Sequence, residues 1–487
     1  MIKFLMNIKN IKWLYNLLLF LGFILWFSIV KKNAPLYSFN SDELWAWDIA
    51  HDLNFSQIVQ LMHYEGHSFL WYMIIKPFTF LADTYPSLFP YALKWINLAF
   101  MCIAMFLLWM FAPFNIFLKL LISYTSAFGV VYPALGRPYG FVILLLFIVA
   151  MLYNNRLKHP LIYSVLLLVL SQTCFNGLVG TIIFGGFFLY DLYKENKENS
   201  FSHKFLMPLF IICSGFIMLA IEWIPVYPPT YIKYFGVVDM FREFFFPEYD
   251  FQIYGIISLI IYCPLMETLA LILYSNLKDR KLFFMILFIL NIFVIFYLTI
   301  APGRCYHLFM FYVYILVVYW MMLKSSQEFI EKKIVNISTT VFVTLLSMLY
   351  FLYFRDPNFW FIDDVDYKET AETIVQTIPE KSRVYLVLDY CAYLVPFLKD
   401  KYDLRTHYGD KIPSLDAYKG IYQNMYLFPQ DMYPVKDKDT YYIVSKDYLD
   451  SFSIHKPFKT KNCSNLRDIY VLCKIEPRDN SENKEIE

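Results

Sequence analysis

Charge is scarce in this chain. Asp, Glu, Lys and Arg make up 17% of its 487 residues, 59% are hydrophobic, and the mean hydropathy is +0.46. So small a polar share cannot cover a water-soluble globule, which places most of the chain in a bilayer. An excess of either sign is lacking as well. The net charge of +1 and the pI near 7.5 offer no basic field for nucleic acid, so the 21% aromatic content is read as membrane-interface belts. No GxxxxGK[ST] sequence and no Gly-rich turn between a strand and a helix is present, so no nucleotide cofactor is expected. CxxC pairs and Cys/His ligand clusters are missing too. Cys102, Cys174, Cys213, Cys263 and Cys305 lie in or beside apolar runs and read as small buried hydrophobes. Cys463 and Cys473 differ: they flank a short polar stretch and would close a disulfide in an oxidising compartment. Finally, no small-residue cleavage site follows the apolar run Trp13 to Val30, although Lys3, Lys9 and Lys12 precede it, so a retained signal anchor is expected.

What is present is a series of apolar runs. Spans are expected at about 13–30, 91–110, 117–135, 138–153, 160–174, 177–191, 205–224, 251–274, 282–300, 305–323 and 334–353, about eleven in all. With the N-terminus cytoplasmic, the loops 154–159, 194–204, 276–281 and 324–333 fall inside, and these are the Lys/Arg-rich ones. That assignment requires Ser68 to Leu81, about 14 residues with Lys76 and Pro77, to lie along the interface instead of crossing. The expected architecture is an all-α polytopic bundle over 1–355, with an extracytoplasmic loop 31–90 carrying an interfacial helix 68–81. A small α/β extracytoplasmic domain follows over 356–487: a helix at Tyr367 to Ile378 and strands in VYLVLD, TYYIVS and IYVLCKI. The polar break Gln172, Thr173, Asn176 and Gly177 suits a hairpin tip at the outer face.

Three groups of side chains carry possible chemistry. Asp42 and Glu43 emerge beside Trp45 and Trp47, where partial desolvation favours a useful base, whereas Asp48, Asp52 and His63 read as a solvated loop. Glu65 and His67 stand ahead of the interfacial helix. Arg137 in LGRPYGF, with Arg304 and His307 in APGRCYHLF, would make an anion site for a phosphate head group. Glu222 and Glu267 are the carboxylates that a transporter would use, but further intramembrane charges, broken helices and an internal repeat are lacking.

In their order, the segments SDELW, YEGHSFLWYMIIKPF, GRPYGFVILLL, SQTCFNGLVG and GRCYHLF resemble the GT-C glycosyltransferases, multi-span enzymes that use polyprenyl-phosphate-linked sugars. The chain is similar to the bacterial branch whose second motif reads like EGHP-x-LWY, as in aminoarabinose transferases and dolichyl-phosphate-mannose mannosyltransferases. Ser68 stands where that family usually shows proline, and Cys305 and Tyr306 separate Arg304 from His307. The resemblance implies a bacterial cell-membrane enzyme that moves a sugar from a polyprenyl-phosphate donor to an extracytoplasmic glycan, lipid or protein acceptor, inverting the anomeric carbon. It implies Asp42, or else Glu43, as general base. Glu65 and His67 would orient the donor phosphate or a divalent cation, and Arg137, Arg304 and His307 would stabilise the phosphate charge. Metal dependence varies in the superfamily and stays open. The competing expectation is a lipid-carrier flippase or transporter without bond cleavage, dependent on Glu222 or Glu267.

Overall fold

The computed structural model describes residues 2–34, 41–64, 67–89, 91–196, 202–223, 281, 284–285, 287–289, 291–292, 305–325, 337, 341, 367–386, 394–406, 411–414, 418–419, 439–445, 458–466 and 470–477. Helix α1 (Ile2–Asn33) is followed by α2 (Ser41–Asp52), α3 (Phe55–Leu61), α4 (Phe69–Thr84) and α5 (Ala92–Phe111). Then come α6 (Ile116–Ser123), a π-turn at Ala127–Val131 running into α7 (Tyr132–Ala134), α8 (Tyr139–Leu152), α9 (Pro160–Ser171), α10 (Phe175–Glu195), α11 (His203–Trp223) and α12 (Cys305–Ser325).

Among the described residues, four helices are long and apolar enough to cross a membrane: Trp13–Lys32, Ala92–Phe111, Phe175–Glu195 and His203–Glu222. A fifth span exists if the pair Ile116–Ser123 and Ala127–Ala134, bent by 62°, counts as one. The straight run expected at 117–135 is therefore broken. The hydroxyls of Ser123 and Thr125 donate back to the carbonyls of Lys119 (2.7 Å) and Ile122 (2.8 Å), and such local side-chain bonding bends helices. Helices α8 and α9 are apolar but only 14 and 12 residues long. The spans expected at 251–274, 282–300 and 334–353 fall outside the described residues, a few positions apart. Exposed apolar side chains such as Trp13, Leu21 and Leu25 on α1 and Phe210, Ile217 and Ile221 on α11 form the kind of surface that lipid covers.

The segment expected to lie along the interface is a helix, α4, of 16 residues, less than the roughly 20 a span needs. Asn54 separates α2 from α3 through a capping box: its side chain accepts from the Gln57 backbone N–H, and Gln57 accepts from that of Asn54. Gly140 allows α8 to close on α5, since a Cβ there would stand 2.4 Å from Asn97 Oδ1 and 2.9 Å from the Asn97 carbonyl. The Asn97 amide uses that proximity, accepting from Gly140 N (2.9 Å) and donating to the Tyr132 carbonyl (2.6 Å).

Helix α13 (Tyr367–Thr377) opens the C-terminal part, as expected for 367–378. Strands β1 (Arg383–Leu386), β2 (Asp403–Thr406), β3 (Thr440–Ser445), β4 (Phe458–Leu466) and β5 (Tyr470–Pro477) build one sheet in the order β2-β1-β3-β5-β4, with α14 (Val395–Leu398) between β1 and β2. The pairs β1–β2 and β1–β3 are parallel, β3–β5 and β4–β5 antiparallel. Cys463 and Cys473 are joined across β4 and β5 at the register shift between Lys461 and Ser464. This sheet is not a separate body hung on a tether. Leu44 of α2 belongs to the same buried cluster as Val384, Leu398, Leu404 and Ile443, and Tyr418 packs with Ala46, Trp47 and Trp71.

Candidate functional site

The starts of α8 and α10 and the ends of α9 and α11 lie at one end of the helix bundle, and there four of the five singled-out motifs meet. Glu43, in the first turn of α2, is fully buried and accepts a hydrogen bond from Gly136 N, in the turn ahead of α8. Gly136 permits this approach: a Cβ would come within 3.3 Å of Glu43 Oε1 and 3.0 Å of Leu93 Cβ. Lys94, buried at the start of α5, interacts electrostatically with the Glu43 carboxylate. Arg137, next along, donates from Nη2 to His67 Nε2. Because the guanidinium stays charged, that ring nitrogen is the unprotonated one. His67 pairs through its backbone with Cys174 at the start of α10, and Arg137 acts electrostatically on Cys174 as well.

The tip between α9 and α10 is where the sequence placed a hairpin, but its polar residues do not face solvent. Gln172, Thr173 and Asn176 are buried at 3%, 1% and 2% exposure. Gln172 Nε2 donates to the Gly215 carbonyl (2.9 Å), tying the tip to α11, and its Oε1 lies 3.5 Å from Ser68 Oγ. Glu222, at the end of α11, accepts from Phe69 N (3.3 Å), so this carboxylate is tied to the start of α4.

Glu43, His67 and Arg137 are thus brought together. Asp42 lies in the first turn of α2, but its side chain falls outside the described residues, as do Glu65, Arg304 and Glu267 altogether. His307 occupies the first turn of α12. The far end of α12 holds the far end of α8, with Asn154 Nδ2 donating to the Lys324 carbonyl (2.8 Å), so the two helices run in the same direction. The His307 backbone therefore lies at the Arg137 end, and its side chain is outside the described residues. Among the described residues, no three His, Cys, Asp or Glu side chains are grouped to hold a metal ion, and the cation beside His67 is Arg137.

The opposite end of the bundle is basic. Asp191 on α10 is bracketed by Arg156 (2.7 Å) and Lys281, with Lys324 donating to the Met151 carbonyl nearby.

A second cluster was not legible in the sequence. Asp48 and Asp52 do not sit in a solvated loop but on α2, one turn apart, facing the C-terminal sheet domain. The Asp52 carboxylate takes Lys399 Nζ (2.7 Å) and His51 Nδ1 (2.6 Å) on one oxygen and the Tyr418 hydroxyl (2.6 Å) on the other. His51 Nε2 reaches Asp83 Oδ1 at 3.1 Å. Carboxylates at both ring nitrogens suit an imidazolium, and the His51 pKa is raised, chiefly by its hydrogen bond to Asp52. Burial works to raise the Asp52 pKa, but His51, Lys399 and Tyr418 outweigh it and hold the carboxyl below its usual range. Asp48 is fully buried, and neither of its oxygens has a hydrogen-bond partner among the described residues. Burial holds it well above the usual carboxylate range, against the pull of Lys399 and with the push of Asp52. The only signals pointing to this cluster were the spacing Asp48-x-x-His51-Asp52 and a helical reading of 41–52. Compared with known proteins, the chain matches no family model and no curated protein.

Proposed function

We propose that this protein is a membrane glycosyltransferase of GT-C type, moving a sugar from a polyprenyl-phosphate carrier to an extracytoplasmic glycan, lipid or protein. The observation that carries the reading is the convergence at one bundle end of segments distant in sequence: Glu43 on Gly136, Arg137 on His67, and His67 on Cys174. A half-buried arginine beside a neutral histidine is suited to an anionic phosphate ester, because the guanidinium offers several donors and stays charged. Sidedness follows the positive-inside rule: the Arg156–Lys281–Lys324 end is cytoplasmic and the Arg137 end extracytoplasmic. The Cys463–Cys473 disulfide suits a domain on that outer, oxidising side. The full complement is then about eleven spans, with α4 along the interface.

Within this reading the two acidic neighbours separate in role. Glu43 anchors α2 to the Gly136–Arg137 turn, and Lys94 balances its charge, which leaves proton abstraction to Asp42. Asp42 takes the proton of the acceptor hydroxyl, the oxygen attacks the anomeric carbon, and the polyprenyl phosphate departs with the bonding pair. Arg137, aided by Arg304 and His307, stabilises the charge that develops on the leaving phosphate, a contribution of about 3 to 4 kcal/mol per donor.

Mass spectrometry of surface glycans and glycolipids, in cells with and without the chain, tests the reading. A single missing sugar names reaction and acceptor together, and Asp42→Asn reproduces the loss with normal membrane levels of protein. Full product from Asp42→Asn removes the base assignment. Unchanged glycans on deletion refute the transferase, and the carrier reading then predicts loss of lipid movement in Glu222→Gln.

A further inference from the structure

Helix α2 is gripped from two sides by parts of the chain far apart in sequence. At its start, Glu43 is bound to the turn before α8. At its end, Lys76 of α4 donates to the Ala50 (2.6 Å) and Leu53 (2.7 Å) carbonyls, closing the helix C-terminus. The remaining face belongs to the C-terminal domain. Lys399, directly after α14, sends its Nζ to Asp52 and lies 3.1 Å from His51 Nδ1, and Tyr418 both donates to Asp52 and meets the Trp45 ring edge-on at 4.8 Å. Phe397, two residues earlier, contacts Phe89 at 5.2 Å.

Apolar contacts alone would dock such a domain, and a buried ion pair seldom improves on them. Asp48 makes the arrangement more costly still, since it is carried into the joint with no hydrogen-bond partner among the described residues. What a charged joint adds over a greasy one is a fixed geometry, because Lys399 accepts only the position of α2 that puts Asp52 within reach.

We propose that Lys399 is a positioning residue: by fixing the Asp48–Asp52 face of α2 it sets where the Asp42–Glu43 end of that helix stands, making the C-terminal domain a working part of the site. Only the effect on sugar transfer rests on the glycosyltransferase reading; the control of α2 does not.

The joint also responds to protons. The charged and titratable groups around Asp48, His51 and Asp52 are Asp83 and Lys76 on α4, and Lys399 with its neighbour Asp400 and Tyr418 from the C-terminal domain. Asp48 and His51 both have raised values when docked, so each favours docking below its undocked value and loses that contribution as pH rises through its raised one. Asp52, held low, favours docking above its undocked value and loses that as pH falls through its depressed one. Docking therefore weakens toward alkaline pH and again in strong acid.

Hydrogen exchange of the α2 peptide, measured on the full-length protein in nanodiscs at mildly acidic and alkaline pH, tests this. Lys399→Met should speed α2 exchange about tenfold while β1 and β3 stay protected, Lys399→Arg should restore protection, and Asp48→Asn should flatten the pH dependence. Lys401→Met, which removes an exposed charge from the same domain, is the control and should change nothing. In cells, Lys399→Met should lower the sugar product and Lys399→Arg recover it. Unchanged α2 exchange in Lys399→Met overturns the proposal, as does full product from a variant whose α2 is loosened. Loosened α2 with no product from any form, wild type included, overturns the glycosyltransferase reading and leaves the positioning role standing.

Discussion

Single residues show most directly how position and chemistry are joined. Glu43 holds a backbone N–H and faces a buried lysine, so its two truncations should differ. Glu43→Gln keeps an oxygen for Gly136 N and loses the charge opposite Lys94; Glu43→Ala loses both and should cost about 3–5 kcal/mol, the range for breaking a buried pair. Thermal unfolding of the solubilised protein should rank Ala well below Gln, and equal melting temperatures would contradict the anchoring role. Gly140→Ala should cost about 1–3 kcal/mol, because the new methyl meets the Asn97 carbonyl and not only a movable side chain. Its melting temperature should fall even though no charged group is touched. The same scale shows what reading the chain can reach. Glu43, His67 and Arg137 were identifiable because charged or titratable side chains beside apolar runs need a reason. Asp48 and Asp52 were misjudged because their partner, Lys399, lies 347 residues from Asp52. No local pattern reports a contact of that kind, and an acidic residue without a visible partner reads as solvated.

Elements were legible where periodicity or length spoke. The helix at 367–377 and the strands β1, β3 and β5 appear where alternating or β-branched apolar residues predict them. Strand β2, DLRT, has four residues and one aliphatic side chain, and β4, FKTKNCSNL, is mostly polar because it is an edge strand. Neither carries a hydrophobic signature. The break between α6 and α7 was equally hidden, since it depends on which carbonyls Ser123 and Thr125 capture. The disulfide stabilises the edge that composition leaves weak. It closes a separation of 10 residues, for which loop-closure entropy gives about 2–3 kcal/mol. Replacing both cysteines by serine should raise exchange in β4 and β5 selectively and leave β1 and β2 protected; uniform loosening of the sheet would show that the bridge supports the whole domain.

Over the whole molecule, the bundle has two unlike ends. One collects Arg156, Lys281 and Lys324, the other Glu43, His67, Arg137 and the C-terminal sheet. In intact cells a membrane-impermeant amine reagent should modify the exposed Lys401 and spare the exposed Lys194, and broken cells should expose both. The reverse pattern would put the Arg137 end in the cytoplasm, away from a carrier-linked sugar on the outer leaflet. The overall class was legible because hydropathy acts over tens of residues and survives local error. Leu44 packing into the sheet core was not, because one leucine in an aromatic-rich segment has no preferred partner in the sequence.

That leucine has a consequence in time. Leu44 shares a core with Leu472, so α2 is synthesised long before the surface that covers it. Roughly 430 residues intervene, which at about 5–20 residues per second means roughly 20 to 90 s with one side of the helix bare. A ribosome that stalls or stops early leaves that side open permanently, so shortened chains should be the substrates that membrane quality-control proteases and chaperones take first.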